Sequence, residues 1–579
     1  MKLLDIIKKN REIGLDDNRK IIKIRLLSNA ILNNFEDIIE YYLRVSGVNA
    51  SVSIGQFDNI VQESQDSASF DVVIVFWELG GMAPDLPARS LSHSDDEARA
   101  LEKALGAQVG QALSGLSQAN LVLFNRFSSI LFDAEPLRTS PLNSMAGSLN
   151  AVLNAANMDN LIVVDIDQVI AQAGVAAAFD RRGFYAAAAP YTVAFMERYA
   201  QAIIPAVGAL CGIVKKAVIL DCDNTLWGGV IGEDGLDGIK LGDTSPAGKV
   251  FAEVQHLLKG LQSTGAILAL CSKNNAADVE DVLANHQGMV LKSNDFVIKK
   301  VNWDSKDRNI EAIARELNIG LDSMVFVDDS DFEIELVKKR FPQVTCVKVP
   351  EEIEAYPLEM RRLHQLFFTM NRTAEDAART QMYLEDRGRQ ELAETSANME
   401  DYLRSLQIKV SPTWGADIPL ARAAQMSQKT NQFNLTTLRY AEADLVKMLA
   451  SDRYLVGTFG VSDCFGSSGV TALVVITVEG ADPGQSAADR ADIETWLMSC
   501  RIIGRNIEIR VFDEILRMLQ ARGVAEITAR YSRTAKNGLV KDFYEGLGFD
   551  VVKENENEKA YRLRLNDYEF GRADYIEVI

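Results

Sequence analysis

The chain has 579 residues, of which 47% are hydrophobic and 25% charged, a composition typical of a soluble protein with three or four domains. Its formal net charge of −20 disfavours nucleic acid and anionic lipid as partners, and no apolar run reaches the roughly 18 residues of a membrane span. The six cysteines form no CxxC pair and the N-terminus does not resemble a signal peptide, so we expect a cytoplasmic protein.

Residues 1–212 alternate short apolar runs with helical patterns. Strands are expected at 23–28, 71–77, 121–125 and 161–165, where apolar residues cluster, many of them β-branched or aromatic. Buried strands separated by helices predict a parallel sheet, and therefore a flavodoxin-like α/β domain over this region.

A second α/β domain is predicted over residues 213–350, with apolar strands at 217–220, 266–271 and 324–327. Helical stretches separate these strands as well. The pattern is typical of a Rossmann-like parallel sheet.

The rest of the sequence predicts a linker and a third domain. Residues 351–407 are rich in Glu, Arg and Leu, which favours a helical linker. Over residues 408–579, antiparallel strands are expected at 454–461 and 470–478, followed by one long helix over 492–520. This order indicates a C-terminal α+β domain.

Two aspartates one residue apart, Asp221 and Asp223, follow the first apolar strand of the second domain. Carboxylates at the end of a buried strand are costly unless they bind a metal or take part in chemistry. A lone Asp-x-Asp is often a turn or a helix cap, but here further polar residues follow at later strands and turns. In chain order these are Ser272, Lys306, Asp328 and Asp329.

This order of Asp-x-Asp, Ser, Lys and Asp-Asp resembles the four motifs of the haloacid dehalogenase (HAD) superfamily. The resemblance implies phosphoryl transfer, with Asp221 as nucleophile and Asp223 as general acid and base. Ser272 and Lys306 would bind the phosphoryl oxygens. The gaps between the motifs are too short for a large cap domain, so we expect a capless site. The implied Mg²⁺ ligands are Asp221, the main-chain carbonyl of Asp223, Asp328 and Asp329.

A longer match resembles the FkbH-like branch of this superfamily. The resemblance implies that 1,3-bisphosphoglycerate is dephosphorylated and that a glyceryl unit is loaded onto the thiol of an acyl carrier protein. The matching segments are 221–235 (DCDNTLWGGVIGEDG), 302–306 (NWDSK), 373–376 (TAED) with Arg379 and Tyr383, 429–437 (KTNQFNLTT) and 499–505 (SCRIIGR).

The C-terminal domain resembles a GNAT acyltransferase, in which residues 501–506 would open a helix beneath a pantetheine pyrophosphate. Only one glycine of the usual turn is present, so free coenzyme A and carrier-borne phosphopantetheine both stay open. Cys500 is the candidate nucleophile, because a helix start and nearby arginines lower the pKa of a thiol, although free cysteines are more often packing residues. The candidate substrate-binding residues here are Asn431, Arg501, Arg505, Lys536 and Asn537.

The N-terminal domain resembles the SGNH-hydrolase-like domain that is often fused to FkbH-like proteins. Ser28 and Asn29 stand where such a hydrolase has its Gly-Asp-Ser turn, and no histidine follows Asp180 at the usual spacing. We therefore expect this domain to be non-catalytic.

The sequence thus predicts a bifunctional glyceryl transferase and phosphatase that uses Mg²⁺, a phosphorylated small molecule and an acyl carrier protein. Two alternatives stay open. One is a Mg²⁺-dependent phosphatase of a sugar phosphate or phosphoprotein with inert flanking domains, which would release phosphate without an acyl product. The other is a coenzyme A-dependent N-acyltransferase with a scaffold HAD domain, whose acetyl transfer would survive Asp221→Asn.

Overall fold

The computed structural model divides the chain into two compact units, Met1–Cys211 with Tyr440–Asp444, and Gly212–Arg439 with Leu445–Ile579. Within the described ranges, none of the helices combines the length and apolar content that crossing a bilayer requires. The structure describes residues 2–16, 20–133, 139–243, 245–370, 381–382, 385, 389, 392, 398–479, 490–499, 502–534 and 536–579.

The first unit contains a five-stranded parallel sheet in the order β2-β1-β3-β4-β5, which confirms the parallel sheet expected from the apolar runs. Two of the three inner strands, β3 and β4, are buried along their whole length. The strands are β1 Ile22–Ser28, β2 Ala50–Ile54, β3 Val72–Phe76, β4 Leu121–Asn125 and β5 Leu161–Val164. The helices are α1 Leu3–Ile13, α2 Phe35–Val45, α3 Ile60–Glu63, α4 Leu86–Arg89, α5 Asp95–Leu116, α6 Pro141–Ala155, α7 Ile166–Ala173, α8 Val175–Ala178, α9 Arg181–Ala187 and α10 Val193–Leu210.

A buried polar network closes the carboxyl edge of this sheet. Asn29 donates to the carbonyl of Glu78 at 2.8 Å and accepts from its amide at 2.7 Å, and Tyr191 donates to the Glu78 carboxyl. Burial raises the pKa of Glu78. The Ser28 hydroxyl is buried and donates to the Ala30 carbonyl at 2.9 Å. These side chains hold the loops together, and the SGNH-like assignment itself stays a prediction.

The second unit begins with another five-stranded parallel sheet, in the order β10-β9-β6-β7-β8. Val218 and Leu220 pack into the core on one face, while Ala217 and Ile219 pack into the core on the other. The strands are β6 Ala217–Leu220, β7 Ile267–Ser272, β8 Phe296–Val301, β9 Met324–Asp328 and β10 Thr345–Lys348. The helices are α11 Ile231–Gly238, α12 Pro246–Ser263, α13 Ala276–Asn285, α14 Lys306–Leu317, α15 Asp331–Arg340 and α16 Tyr356–His364.

Both ends of the predicted linker, residues 351–407, belong to folded cores. Tyr356, Met360 and Leu363 of α16 are buried against the sheet of β6–β10. The helix α17, Met399–Ser405, buries Tyr402 in the core that follows. Both ends of this region are helical, as the sequence pattern indicates. The apolar faces of α16 and α17 are buried in the cores of the neighbouring domains.

An eight-stranded sheet forms the rest of the unit, in the order β16-β17-β15-β14-β13-β12-β11-β18. It is mostly antiparallel, as expected for an α+β domain, but β14 runs parallel to β15, and β11 runs parallel to β18. The strands are β11 Lys409–Trp414, β12 Tyr454–Asp463, β13 Gly466–Glu479, β14 Arg490–Met498, β15 Glu526–Ser532, β16 Asp550–Glu554, β17 Glu558–Arg564 and β18 Glu577–Val578. The helices over this part of the chain are α18 Leu420–Lys429, α19 Glu442–Leu449, whose first three residues belong to the first unit, α20 Ile507–Ala521 and α21 Phe543–Gly546.

The prediction of one long helix over residues 492–520 was wrong for the first residues of that range, which are not helical. Residues up to Met498 form β14, and the helix α20 begins only at Ile507. Burial alternates over the first half of β14, which is the period of a strand. Gly504 has a φ of 85°, a left-handed conformation that interrupts a helix and suits glycine.

The strands β14 and β15 pair only over Arg490–Ile493 and Glu526–Ala529, and then part. The chain's own segment from Phe433 to Leu435 fills the gap. Leu435 donates its amide to the Trp496 carbonyl at 3.2 Å, and Met498 donates to the Phe433 carbonyl at 3.0 Å. On the other side, Ser532 donates to the Leu435 carbonyl at 2.8 Å. The segment therefore acts as a short extra strand between β14 and β15.

Candidate active site

The carboxyl ends of β6 and β9 bring two aspartates together around a lysine. These strands are parallel neighbours with Leu220 opposite Val327, so Asp221 and Asp328 leave the sheet side by side. The Lys306 Nζ lies 2.9 Å from Asp221 Oδ1 and 2.6 Å from Asp328 Oδ2. All three side chains are buried. Burial opposes the charge on Lys306, but the two aspartates outweigh it and raise its pKa.

Asp329 extends this cluster to three carboxylates. Oxygens of Asp221, Asp328 and Asp329 lie within 4.8 Å of one another, as the ligands of one metal ion would. Burial raises the pKa of Asp328 to about 6, against the opposing effect of Lys306, and it raises the pKa of Asp329 as well. An all-oxygen donor set of this kind suits a hard cation such as Mg²⁺. A bound cation would also relieve the repulsion between the carboxylates.

Asp223 stands apart from that cluster and is held by three donors. Its Oδ1 accepts from Trp227 Nε1 at 2.9 Å and from the Ile231 amide at 3.1 Å. Its Oδ2 accepts from Asn274 Nδ2 at 2.9 Å. The carboxyl group is thus fixed in one orientation, as a group that exchanges protons with a substrate needs to be.

Ser272 completes the set predicted from the motifs. It ends β7, the strand next to β6, and its buried hydroxyl accepts from Asn274 Nδ2 at 3.2 Å. Asn274 therefore links Ser272 to Asp223. The structure brings together the motif residues Asp221, Asp223, Ser272, Lys306, Asp328 and Asp329 at one edge of the sheet.

Tyr356 is a site residue that the sequence did not indicate. Its hydroxyl is buried, and none of the described residues forms a hydrogen bond with it. Burial raises its pKa, and the negative charges of Asp221, Asp329 and Asp328 add to this effect. Nothing in the sequence indicated that Tyr356, at the start of the predicted linker, or Asn274 would lie at this site. Trp227 belongs to the matched segment 221–235, but its hydrogen bond to Asp223 was not predicted.

Among the candidate residues of the C-terminal domain, Asn537 makes hydrogen bonds inside the fold. Asn537 is buried; its amide nitrogen donates to the carbonyls of Asn434 and Ser532, and its Oδ1 accepts from the Thr534 amide. Its hydrogen bonds hold the loop beside the inserted segment. Cys500 and Arg501 lie outside the described residues, as do residues 373–376, Arg379 and Tyr383.

Arg505 is nearly buried and belongs to an internal ion cluster. Its Nη1 lies 3.6 Å from Asp463 Oδ2. Arg389 binds the same carboxylate through two hydrogen bonds of 2.6 and 2.8 Å. Two guanidinium groups therefore share the Asp463 carboxylate, and Glu385 lies 3.9 Å from Arg389 as a second carboxylate.

Replacement of Asp463 tests how much this ion cluster contributes to the stability of the fold. Asp463→Asn leaves two buried cations without their shared anion, so the free energy of unfolding should fall by about 3 kcal/mol. Urea or thermal unfolding of the full chain measures this loss. The exposed Asp452→Asn is the matched control and should change stability by less than about 0.5 kcal/mol. Equal stability of the two variants would show that the cluster is not a structural element.

Asn431 and Lys536 lie at a cavity between the two sheets of the second unit. The Asn431 side chain accepts a hydrogen bond from Arg439, and Lys536 forms an ion pair with Asp322. The cavity has a volume of about 310 Å³. It is lined by residues of both domains, including Ser499, the residue before Cys500.

No protein-family model matches the chain, and no curated protein matches it either. Among solved structures, the N-terminal part of the protein BF1531 from Bacteroides fragilis, which contains a phosphatase domain and is complexed with Mg, is similar with a TM-score of 0.56 and 24% identity. The similarity covers 64% of this chain and 100% of that one, and it shows a shared fold.

Two acetyltransferases are similar over smaller parts of the chain. The ribosomal-protein-S18-alanine N-acetyltransferase from Escherichia coli has 16% identity and a TM-score of 0.20, and covers 28% of this chain and 97% of its own. A putative acetyltransferase of the GNAT family from Desulfovibrio desulfuricans has 14% identity and a TM-score of 0.21, over 27% and 99%. The multidomain α/β architecture is confirmed, and the larger part of the chain shares its fold with the Bacteroides fragilis structure.

Proposed function

We propose that this protein is a Mg²⁺-dependent phosphatase and acyltransferase that converts 1,3-bisphosphoglycerate into a glyceryl thioester on an acyl carrier protein. One observation supports the phosphatase activity in this proposal. The buried Asp221, Lys306 and Asp328 meet within 2.9 Å at a sheet edge, next to an Asp223 that three donors fix in place. A purely structural cluster would not need a second, separately oriented carboxylate.

The residues of this edge account for removal of the phosphate at carbon 3. Asp221 attacks phosphorus, and the bond from phosphorus to the sugar-acid oxygen breaks as the aspartyl-phosphate forms. Asp223 gives its proton to the leaving oxygen, and then takes one from the water that cleaves the intermediate. Ser272 and Lys306 hold the phosphoryl oxygens. Mg²⁺ held by Asp221, Asp328, Asp329 and the main-chain carbonyl of Asp223 would neutralise charge on the phosphoryl group.

The acyl-transfer half is assigned to the C-terminal domain, with Cys500 as nucleophile. The thiolate attacks the carbonyl at carbon 1, the phosphate of the acyl phosphate leaves, and the thioester is then exchanged onto the carrier thiol. Arg501 would favour the thiolate. Asn431 and Lys536, which line the cavity that Ser499 reaches, are the residues best placed to contact the substrate. Arg505 and Asn537 support these loops from inside the domain.

A plain phosphatase is the second candidate, and one observation favours it. The segment from Phe433 to Leu435 occupies the edges of β14 and β15 where those strands part. An extended ligand such as a pantetheine arm would have to displace it to pair with the same edge. The same feature weighs against an N-acyltransferase that uses free coenzyme A.

Intact-protein mass spectrometry separates the two candidates. The full chain is mixed with Mg²⁺, 1,3-bisphosphoglycerate and a phosphopantetheinylated carrier protein. A glyceryl mass on the carrier is the expected result, and Cys500→Ser should abolish it, whereas the exposed Cys464→Ser should not. Phosphate release without any glyceryl adduct would leave only the plain phosphatase. An adduct that persists in Cys500→Ser would place the nucleophile elsewhere.

A further inference from the structure

Two exposed aromatic side chains, Trp303 and Phe332, are here called the aromatic rim. Trp303 is 76% exposed and Phe332 is 69% exposed, and the reaction described above uses neither of them. A single apolar side chain in water is common on a protein surface. Two large aromatic groups beside one site are a different matter, because apolar surface next to a site is often where a ligand binds.

Contacts on both sides of Trp303 in the chain place it beside the phosphoryl-transfer cluster. The preceding residue, Asn302, donates its amide to the Ser272 carbonyl at 3.1 Å. Three residues after Trp303, the Lys306 Nζ lies 2.9 Å from Asp221 Oδ1. Trp303 therefore belongs to a short connection, both ends of which contact residues of the site.

Phe332 is placed in the same way from the neighbouring helix. It follows Asp329, one of the three clustered carboxylates, by three residues. It precedes Glu333, whose Oε1 accepts a hydrogen bond from Lys273 Nζ at 2.6 Å. Lys273 is the residue after Ser272, so the chain around Ser272 contacts the neighbours of both aromatic residues.

Burial separates the roles of the cluster and the rim. Asp221, Ser272 and Lys306 are buried, so a phosphoryl group bound among them is enclosed by the protein. The organic part of a phosphate ester must then extend from the cluster towards the surface. The aromatic rim stands on that side, and it is therefore the organic part that it contacts.

The polar side chains next to the rim already have partners within the fold. These pairs are Lys273 with Glu333, Asn302 with Asn309, and Asp331 with Lys348. A sugar ring needs hydrogen-bond partners for its hydroxyl groups, whereas an aryl ring packs against the faces and edges of other aromatic groups. The surroundings of the rim therefore favour an aryl ring.

We propose that the phosphoryl-transfer site also hydrolyses aryl phosphate esters, whose ring packs against Trp303 and Phe332. Asp221 attacks phosphorus, the bond from phosphorus to the phenolic oxygen breaks, and Asp223 gives its proton to that oxygen. Water then cleaves the aspartyl-phosphate, so the products are a phenol and inorganic phosphate. The inference rests on the phosphatase activity of the proposed function and adds a substrate class to it.

Steady-state kinetics of the full chain with Mg²⁺ test the role of the rim. The quantity measured is the ratio of kcat/KM for p-nitrophenyl phosphate to kcat/KM for acetyl phosphate, which has no ring. Trp303→Ala and Phe332→Ala should each lower this ratio by about fivefold or more, because the ring loses a packing partner. The loss should appear in KM for the aryl ester rather than in kcat, since the groups that act on phosphorus are unchanged.

Two further variants separate aromatic packing from a structural effect. Trp303→Tyr keeps an aromatic face and should stay within about twofold of the wild-type ratio. Phe57→Ala removes an aromatic side chain that is 56% exposed in the first unit, and it should leave the ratio unchanged.

Isothermal titration calorimetry with two phosphonates makes the test independent of turnover. With Mg²⁺ present, phenylphosphonate should bind the full chain at least about fivefold more tightly than methylphosphonate, and this preference should be lost in Trp303→Ala and in Phe332→Ala. If the preference is found but no substrate releases phosphate, the proposed function fails and the role of the rim stands. Equal binding of the two phosphonates, or a preference that persists in both alanine variants, would overturn the inference.

Discussion

Asp221→Asn should lower the rate of phosphate release by about a thousandfold or more, because the amide oxygen cannot serve as the attacking nucleophile. The substitution keeps the size of the side chain and removes one of three mutually repelling carboxylates. The folded state should therefore be retained or slightly stabilised. Release of phosphate from 3-phosphoglycerate or p-nitrophenyl phosphate with Mg²⁺ measures the effect, and thermal unfolding checks the fold.

Asp331→Asn is the matched control for this variant. Asp331 follows the same strand β9 as the cluster, but its side chain is 76% exposed and pairs with Lys348. Its replacement should leave the rate within about twofold of the wild type. If Asp221→Asn keeps more than a tenth of the activity, Asp221 is not the nucleophile.

After Asp221→Asn, we expect the largest effect from Lys306→Met, which should lower both the rate of phosphate release and the free energy of unfolding. It removes the cation that contacts both Asp221 and Asp328, and leaves two buried carboxylates facing each other. We expect phosphate release to fall by about a hundredfold or more, since charge on the phosphoryl group is no longer balanced. The metal-free protein should lose about 3–5 kcal/mol of unfolding free energy near pH 8. Added Mg²⁺ should restore part of that stability.

The stability loss in Lys306→Met should depend on pH in a defined direction. In the wild type, burial raises the pKa of Asp328 from 3.8 to about 6 although Lys306 opposes the rise, so the pKa should be higher still in Lys306→Met. Near pH 5 the folded protein, with or without Lys306, therefore holds a proton on Asp328 that the unfolded chain has mostly lost. This contribution to stability is present at low pH and is lost as the pH rises through about 6. The variant should therefore be closer to the wild type at pH 5 than at pH 8. The surface variant Lys338→Met should show no such dependence, and an equal loss at both pH values in Lys306→Met would contradict the assigned cluster.

That Asp221 and Asp328 are neighbours was predictable because parallel strands place their carboxyl ends at one edge. Once residues 217–220 and 324–327 are read as strands of one sheet, the polar residues that follow each strand must lie close together. The predictions of Asp221, Lys306 and Asp328 as neighbours needed only the strand ends and the order of the motifs.

The residues that support the cluster were not predictable in this way. Asn274 reaches Asp223 from a loop after β7, and Tyr356 arrives on a helix that packs beside α12. Neither position follows a regular spacing from the motifs, so only the tertiary fold reveals it.

In the C-terminal domain, two residues that the sequence predicts to bind substrate have internal partners in the fold, and their role in binding stays a prediction. Arg505 and Asn537 look like ligand-binding residues in the sequence. In the structure, Asp463 neutralises Arg505, and the carbonyls of Asn434 and Ser532 accept both hydrogen bonds of the Asn537 amide nitrogen. A sequence shows that a polar group is present, but not whether the chain itself satisfies it.

Trapping of the aspartyl-phosphate tests the central claim most directly. The full chain is mixed with Mg²⁺ and acetyl phosphate or 3-phosphoglycerate, quenched with acid, and reduced with borohydride, which converts an acyl phosphate on aspartate into homoserine. Peptide mass spectrometry then locates the modified residue. The proposed function predicts conversion at Asp221 and at no other aspartate, and none in Asp221→Asn. Phosphate release without conversion at Asp221, or conversion at Asp223 or Asp328 instead, would contradict it.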